Sequence, residues 1–224
     1  DKMIPHISPG KTWQGFAGPS NAVNNDPLAR QYMPELASQF CRDFIDNFSE
    51  PTSNWPVFES DLRRVEYLNG EYRLATKQAG YIYLMRAPTC PRMDYHVQAD
   101  MRWEGPAGSD IGLMFGEGAR PGVVYLYTVD TNNGELFLMR FNANDSVDFL
   151  MHDYYPGTVH LGNAVNRLGV TFDKGQISVE LNEQVLGAVY DLGPTAMSWV
   201  GLAGAAYANR PVADARFDNF TVTG

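Results

Sequence analysis

A chain of 224 residues with 44% hydrophobic residues is long enough for one large all-β domain, or for one domain with an extension. Its net charge of −9 argues against nucleic acid, which needs clustered Lys and Arg, and against anionic membrane surfaces. No apolar run approaches the ~18 residues of a transmembrane helix, so no membrane span is predicted. The chain begins with Asp1 rather than Met, and either a removed signal peptide or an artificial boundary fits.

Residues 1–42 are predicted to form an extended arm that precedes the domain. Pro and Gly recur through its first half and break helices and long strands, yet apolar residues such as Trp13 and Phe16 lie between them. Asp26 and the proline after it favour the start of a short helix over 28–40. We expect the arm to lie on a surface, either of its own domain or of a neighbouring subunit.

From residue 43 onward the pattern is typical of β-structure, with turn signals such as Asn69-Gly70 between apolar segments. The predicted strands are 43–48, 65–69, 71–76, 79–86, 93–103, 109–116, 122–129, 134–141, 146–151, 157–160, 164–173, 175–181, 184–191, 197–205 and 213–223. Many short strands with regular turns predict a sandwich or a barrel. The first and last strands are expected to pair and close this unit, which spans 43–224.

Several motifs lie along the chain in a fixed order. They are residues 46–55 (DNFSEPTSNW), 67–74 (YLNGEYRL), 112–115 (GLMF), 166–168 (NRL), 181–184 (LNEQ) and 217–220 (FDNF). Together they resemble the concanavalin A-like or laminin-G-like jelly-roll domains of bacterial secreted and surface proteins, and they are similar to the 3-keto-disaccharide hydrolase domain. The resemblance covers 44–224 and implies a two-sheet antiparallel jelly-roll sandwich. Asn54 and Glu183 stand where the family has Gly.

Two cysteines, Cys41 and Cys90, each lie at the edge of an apolar strand. We expect them to form a disulfide, with two buried free thiols as the alternative. An extracellular or cell-surface location suits this disulfide. The glycosylation acceptor pattern occurs at Asn47, Asn144 and Asn219, although such matches are frequent by chance.

No catalytic site is predicted. Glycosidases of this fold resemble one another in an E-x-D-x-x-E strand that places three acids beside one glycosidic bond. The nearest match is 59–64 (ESDLRR), where Arg64 replaces the third acid and the segment is expected to be a loop. The acids on other strands form no recognisable pair; they include Asp100, Glu104, Glu135 and Asp148.

No cofactor is predicted either. The four histidines lack metal-ligand spacing such as H-x-x-x-H. Residues 130–134 (DTNNG) favour a hairpin turn, but they also carry the oxygens of the start of a calcium loop, without the Glu that closes one. Relatives in the family sometimes hold a structural calcium, so the resemblance keeps this alternative open.

Aromatic residues supply the candidate ligand-binding site. Sugars bind by stacking an apolar face on Trp or Tyr, beside planar polar groups. Trp103, Tyr154 and Tyr155 are the predicted ligand-binding residues, with polar neighbours in sequence at Arg102, His152 and Asp153. The alternative for each aromatic residue is a place in the core.

The favoured function is an extracellular, non-enzymatic module for adhesion or for binding a glycan or cell-surface polymer. A self-assembling subunit of a surface filament or array is the first alternative, because residues 1–40 could complete a neighbour's sheet by strand addition and so form a homo-oligomer. A saccharide-active hydrolase is the second. No nucleic-acid partner is expected.

Overall fold

The computed structural model describes residues 41–77, 81–105, 110–144, 146–191, 197–206 and 213–224. Throughout these ranges the regular secondary structure is β, and none of them contains a helix long and apolar enough to cross a membrane. The predicted arm and its helix lie outside the described residues except for Cys41 and Arg42. The all-β prediction is confirmed for the rest.

The strands are β1 (Phe44–Asp46), β2 (Phe58–Glu59), β3 (Arg63–Leu68), β4 (Glu71–Thr76), β5 (Tyr81–Arg86), β6 (Tyr95–Trp103), β7 (Asp110–Glu117), β8 (Val124–Asp130), β9 (Glu135–Phe141), β10 (Val147–Tyr154), β11 (Asn166–Asp173), β12 (Gln176–Leu181), β13 (Gln184–Tyr190), β14 (Trp199–Ala206) and β15 (Ala213–Thr223). The nine-stranded sheet has the order β13-β12-β11-β6-β15-β4-β3-β2, with β1 also paired to β15. The six-stranded sheet has the order β10-β9-β8-β7-β14-β5. The two sheets form an antiparallel jelly-roll sandwich.

The pairing of the first and last strands is confirmed. Phe44 lies opposite Val222 and Asp46 lies opposite Phe220 in an antiparallel ladder. β15 also pairs along its other edge with β6, where the register shifts between Asp218 and Thr221. This strand therefore joins the start of the domain to the middle of the nine-stranded sheet.

One hydrophobic core fills the space between the sheets. In β6 every second side chain from Tyr95 to Trp103 is buried, which is the alternation expected of a strand with one face on the core. In β8 both faces are buried, because Tyr127 faces the core whereas Leu126 faces the opposite side. β8 lies between β7 and β9 in the interior of its sheet.

The structure differs from the predicted elements at two places. Residues 157–160, predicted as a strand, belong to a turn in which the backbone N–H groups of Thr158 and Val159 both donate to the Tyr155 carbonyl. Pro156 and Gly157 open this turn, and such a pair is a turn signal in its own right. The two-residue strand β2 was not predicted, because two residues are too few to show a period.

The two departures from the family's glycines are accommodated in turns. Asn54 has a φ of 61° and Glu183 has a φ of 69°, so both occupy the left-handed region that favours Gly. Asn tolerates this region well, and Asn182 before Glu183 also has a positive φ of 50°. Two consecutive positive φ values are typical of the tight hairpin turn that joins β12 to β13.

The predicted disulfide is confirmed. Cys41 is bonded to Cys90 across a separation of 49 residues, with the two Cα atoms 6.0 Å apart. Close by, Arg92 and Ser198 exchange two backbone hydrogen bonds of 2.9 and 2.8 Å, and the Arg92 guanidinium donates to the Arg42 carbonyl. These contacts fix the start of the described chain beside the beginning of β14.

Candidate aromatic binding surface

The outer face of the six-stranded sheet, which points away from the core, is mainly apolar. It carries a second hydrophobic cluster, here called the outer-face cluster, whose members are Met114, Val124, Leu126, Phe137, Met139, Phe141 and Ala203. They alternate along their strands with core residues such as Tyr125 and Leu138. The outer-face cluster therefore follows from strands that are apolar on both faces.

At the edge of this face, β10 presents three aromatic rings in a line. Phe149, His152 and Tyr154, here called the β10 row, lie opposite Met139, Phe137 and Glu135 of β9. A register irregularity between Phe149 and Met151 places His152 on the same face as Phe149, although the two are three residues apart. Phe149 is 43% exposed and Tyr154 is 64% exposed.

The middle ring of the β10 row is held by its neighbours on β9. The His152 ring stacks on Phe137 with the ring centres 4.5 Å apart and the planes at 21°. Its Nε2 lies 3.5 Å from the Oε1 atom of Glu135, whose Oε2 accepts a hydrogen bond of 2.7 Å from the Asn133 side chain. The row thus combines exposed ring faces with a carboxylate and an amide at one end. Stacking together with hydrogen bonding to hydroxyl groups is what this arrangement can provide.

The predicted ligand-binding residues separate in the structure. Tyr154 lies in the β10 row, whereas Tyr155 is partly buried and packs against the main core. The prediction for Trp103 is wrong, because the side chain is 0% exposed in the core between the sheets. Its neighbour Arg102 lies in the nine-stranded sheet, bonded to Glu71 at 2.8 Å and far from the row in the topology.

Sequence reasoning missed Phe149 as part of this surface. The predicted strand ended at 151, so the continuation of β10 to Tyr154 was not recognised. The alternation of Val147 and Phe149 was the available signal, but the irregularity before Met151 interrupts it. The sequence pattern marks His152 only as a polar neighbour of the predicted aromatic residues.

Four of the acids considered for catalysis are engaged in ion pairs with Arg or Lys. The nearest pairs are Asp100 with Arg167 at 2.6 Å, Glu104 with Arg102 at 2.6 Å, Asp148 with Arg140 at 2.6 Å and Glu59 with Lys77 at 2.6 Å. A hydrogen bond from Lys77 lowers the pKa of Glu59, and one from Asn142 lowers the pKa of Asp148. A general acid at neutral pH needs the opposite shift.

The 130–134 segment forms the predicted hairpin turn. The Asp130 carboxylate accepts a 2.9 Å hydrogen bond from the Asn132 backbone, and the Gly134 N–H donates to the Asp130 carbonyl at 2.9 Å. Gly134 has a φ of 80°, which L side chains rarely adopt. Among the described residues, no group of three or more His, Cys, Asp or Glu is arranged to hold a metal ion.

The outer face of the nine-stranded sheet is polar. It contains Asp218, a carboxyl group that lies close to other acidic side chains. Partial burial raises the pKa of the Asp218 carboxyl, and the charges of Asp100, Glu71 and Asp46 raise it further. The Asn219 backbone N–H, which donates to Asp218 at 2.7 Å, opposes this shift. Because the folded-state pKa lies above the unfolded value, the ionised carboxylate destabilises the fold at neutral pH. This cost falls as the pH decreases through the folded-state pKa.

Replacing Asp218 by Asn should therefore stabilise the protein at pH 7. We expect a gain below about 1 kcal/mol, because solvent screens this partly exposed group. The gain should shrink as the pH falls and Asp218 of the native protein takes up a proton. Urea unfolding from pH 7 to pH 4 measures this difference, with Asp173→Asn as an exposed control. A variant less stable than the native protein at pH 7 would contradict the electrostatic argument.

Structural comparison assigns the fold to a known class. The carbohydrate binding module CBM66 from Bacillus subtilis is similar, with a TM-score of 0.60 at 14% identity over 77% of this chain and 99% of that one. A Bacillus licheniformis beta-glucanase has a TM-score of 0.61 at 12% identity over 81% and 98%. A beta-1,3-1,4-glucanase (lichenase) derived from a mouse hindgut metagenome has a TM-score of 0.58 at 12% identity over 80% and 98%.

These likenesses establish a two-sheet jelly-roll fold, and at such identities they establish the fold alone. No protein-family model matches the sequence, and no curated protein matches it either. The finer resemblance to the 3-keto-disaccharide hydrolase domain stays a prediction.

Proposed function

We propose that this chain is an extracellular, non-enzymatic module that binds a glycan on the β10 row. The observation that carries the proposal is the line of rings with Phe149 43% and Tyr154 64% exposed. Burial of large aromatic side chains is favourable, so a row of exposed rings is typical of a binding surface. Spaced rings beside polar groups suit the alternating apolar faces and hydroxyl edges of a sugar chain.

The polar groups beside the row support a neutral glycan as the ligand. Glu135 and Asn133 offer acceptors and a donor at the end of the row that carries Tyr154. The net charge of −9 disfavours acidic polysaccharides, which the protein would repel at low salt. The neighbours in fold include a carbohydrate binding module and glucanases, which are consistent with a glycan as the ligand.

The ion pairs favour binding without chemistry. Four of the acids considered for catalysis, Glu59, Asp100, Glu104 and Asp148, are held by Arg or Lys partners. Asp148 lies on β10 but is paired with Arg140, so Glu135 is the one acid of the set that contacts a ring of the row. A single carboxylate cannot serve as both the acid and the second group that glycoside hydrolysis uses. The Cys41–Cys90 disulfide supports an oxidising, extracellular location.

Affinity electrophoresis tests the proposal. The native protein should be retarded in gels that contain at least one of mixed-linkage β-glucan, laminarin or xylan, and not in gels that contain alginate. The Phe149→Ala, Tyr154→Ala double variant should bind about thirtyfold more weakly, because each lost stacking contact costs on the order of 1 kcal/mol. Tyr190→Ala is the matched control, since Tyr190 is 72% exposed on β13 of the other sheet.

Equal retardation of the native protein and the double variant would reject the β10 row as the binding surface. Retardation by none of the neutral polysaccharides would count against glycan binding itself. The same preparations distinguish the hydrolase alternative, because an enzyme would release reducing ends from the polysaccharide that it binds.

A further inference from the structure

The β10 row lies on an edge strand, so the backbone of β10 belongs to the same surface as the rings. Among the described strands, β10 pairs with β9 alone. In an antiparallel pair, residues that exchange backbone hydrogen bonds alternate with residues whose N–H and C=O groups point away from the partner strand. The ladder between β9 and β10 therefore determines which backbone groups of β10 are directed outward.

Both ends of this ladder give the same assignment. At one end the Tyr155 N–H donates to the Gly134 carbonyl at 2.9 Å, so the backbone groups of Tyr154, one position along, point away from β9. At the other end the Asn142 N–H donates to the Ser146 carbonyl at 2.9 Å. Alternation from either end, with the extra residue at the register irregularity, directs the backbone groups of all three row residues outward.

Each residue of the β10 row thus presents a ring on the outer face and a backbone N–H and C=O along the edge. The ring centres of Phe149 and His152 are 6.2 Å apart. From Phe149 to Tyr154 the row covers the β9 positions from Met139 to Glu135, which is about 14 Å of strand. Rings at this spacing can each stack on one six-membered ring of a sugar chain that runs along β10. The hydroxyl groups of that chain then meet a donor and an acceptor beside every ring.

The two ends of the row are open. Phe149 is 43% exposed and Tyr154 is 64% exposed, while the His152 side chain between them is 38% exposed. A site for the end of a sugar chain needs a wall against the last sugar, and such a wall would also cover the terminal ring of the row. The exposed terminal rings instead leave room for a chain to continue in both directions.

A glycan suits this edge better than a polypeptide strand does. An added strand would need a regular ladder along β10, but the irregularity between Phe149 and Met151 places the row residues at unequal intervals. Irregularities of this kind on edge strands are one of the features that prevent the addition of another strand. Hydroxyl groups around a sugar ring do not require such a register.

We propose that the β10 row binds an internal segment of a linear neutral glycan, at least three sugar units long, that runs along β10. Each ring of the row stacks on one unit. The outward N–H and C=O groups of the same three residues form hydrogen bonds with its hydroxyl groups. This inference rests on the glycan binding proposed above, and it adds the minimum length of the ligand, its direction along the strand and the indifference of the site to chain ends.

Titration with oligosaccharides of increasing length tests the number of units. The probes are cello-, laminari- or xylo-oligosaccharides of two to six units, matched to the polysaccharide that retards the native protein. Affinity should rise about fivefold from the disaccharide to the trisaccharide, because one more ring is stacked, and by less than about twofold from the tetrasaccharide to the hexasaccharide. A disaccharide that binds as tightly as the hexasaccharide would overturn this inference, although retardation by the polysaccharide would still support glycan binding. Retardation by no polysaccharide would reject both.

Two variations on this titration locate the units and the chain end. With Tyr154→Ala the trisaccharide should bind no more tightly than the disaccharide, since two rings remain, whereas the control Tyr190→Ala should keep the native increase. A hexasaccharide reduced with borohydride, which opens the sugar ring at its reducing end, should bind the native protein within about twofold of the unreduced one. A loss of about tenfold or more would show that the row recognises the chain end, and would contradict the proposal.

Hydrogen exchange in the ¹⁵N-labelled full chain tests the backbone contacts. The amides of Met151 and Asp153 are directed toward β9, so they should exchange slowly with or without the hexasaccharide. The amides of His152 and Tyr154 should exchange at least about tenfold faster than those two in the free protein, and at least about threefold more slowly once the hexasaccharide is bound. Slow exchange of these two amides in the free protein would show that the edge is already covered, and would overturn the proposal.

Discussion

Replacement of Trp103 by Ala is expected to lower the free energy of unfolding by about 4 kcal/mol. The side chain is 0% exposed and lies on β6, opposite Ala215 of β15. Its removal leaves a cavity between the two sheets, in the strand that joins β11 to β15. Urea unfolding followed by far-UV circular dichroism measures the change, and Trp103→Phe should cost less than half as much because it fills most of the space.

A ligand-binding role for Trp103 would predict weaker glycan binding in its variants, whereas a place in the core predicts lower stability with unchanged binding. Trp103→Phe should leave glycan affinity unchanged within error, because the side chain does not reach the surface. The exposed control Tyr190→Ala should change stability by no more than about 0.5 kcal/mol. Retained stability together with lost binding in the Trp103 variants would contradict its assignment to the core.

Loss of the disulfide is expected to have a comparable effect. Cys41 and Cys90 close a loop with a separation of 49 residues. The chain-entropy relation gives about 4 kcal/mol for a loop of this length, because the unfolded chain gains freedom when the bond is absent. The Cys41→Ser, Cys90→Ser double variant should therefore unfold at a clearly lower urea concentration than the oxidised native protein.

Reduction supplies the control for this prediction. Dithiothreitol should move the native protein to the midpoint of the double variant and should not affect the variant itself. An oxidised native protein that is no more stable than the double variant would show that the bond does not restrict the unfolded chain.

Most of the fold was predictable because its strands carry strong local signals. β12 shows strict alternation, with Ile177, Val179 and Leu181 inward, and the structure buries these three side chains. The pairing of β1 with β15 followed from two similar segments at the ends of the domain. Residues 157–160 were predicted as a strand but form a turn, and the short β2 was not predicted. Both segments are too short to show a hydrophobic period.

The binding surface was harder to predict because burial depends on which face of which sheet a residue occupies. Trp103 and Tyr154 are both aromatic residues at the ends of strands, yet β6 lies inside the nine-stranded sheet whereas β10 is the edge strand of the other sheet. Tyr154 and Tyr155 are adjacent, and the end of β10 directs them to opposite sides. The sequence period predicts alternation, but it does not identify the strand that lies at an edge.

Isothermal titration of Tyr154 variants is the most direct test of glycan binding on the β10 row. With the neutral polysaccharide that retards the native protein, Tyr154→Ala should weaken the affinity about tenfold, because the most exposed ring of the row is lost. Tyr154→Phe, which keeps the ring, should remain within about threefold of the native protein. An unchanged affinity for Tyr154→Ala would contradict the account.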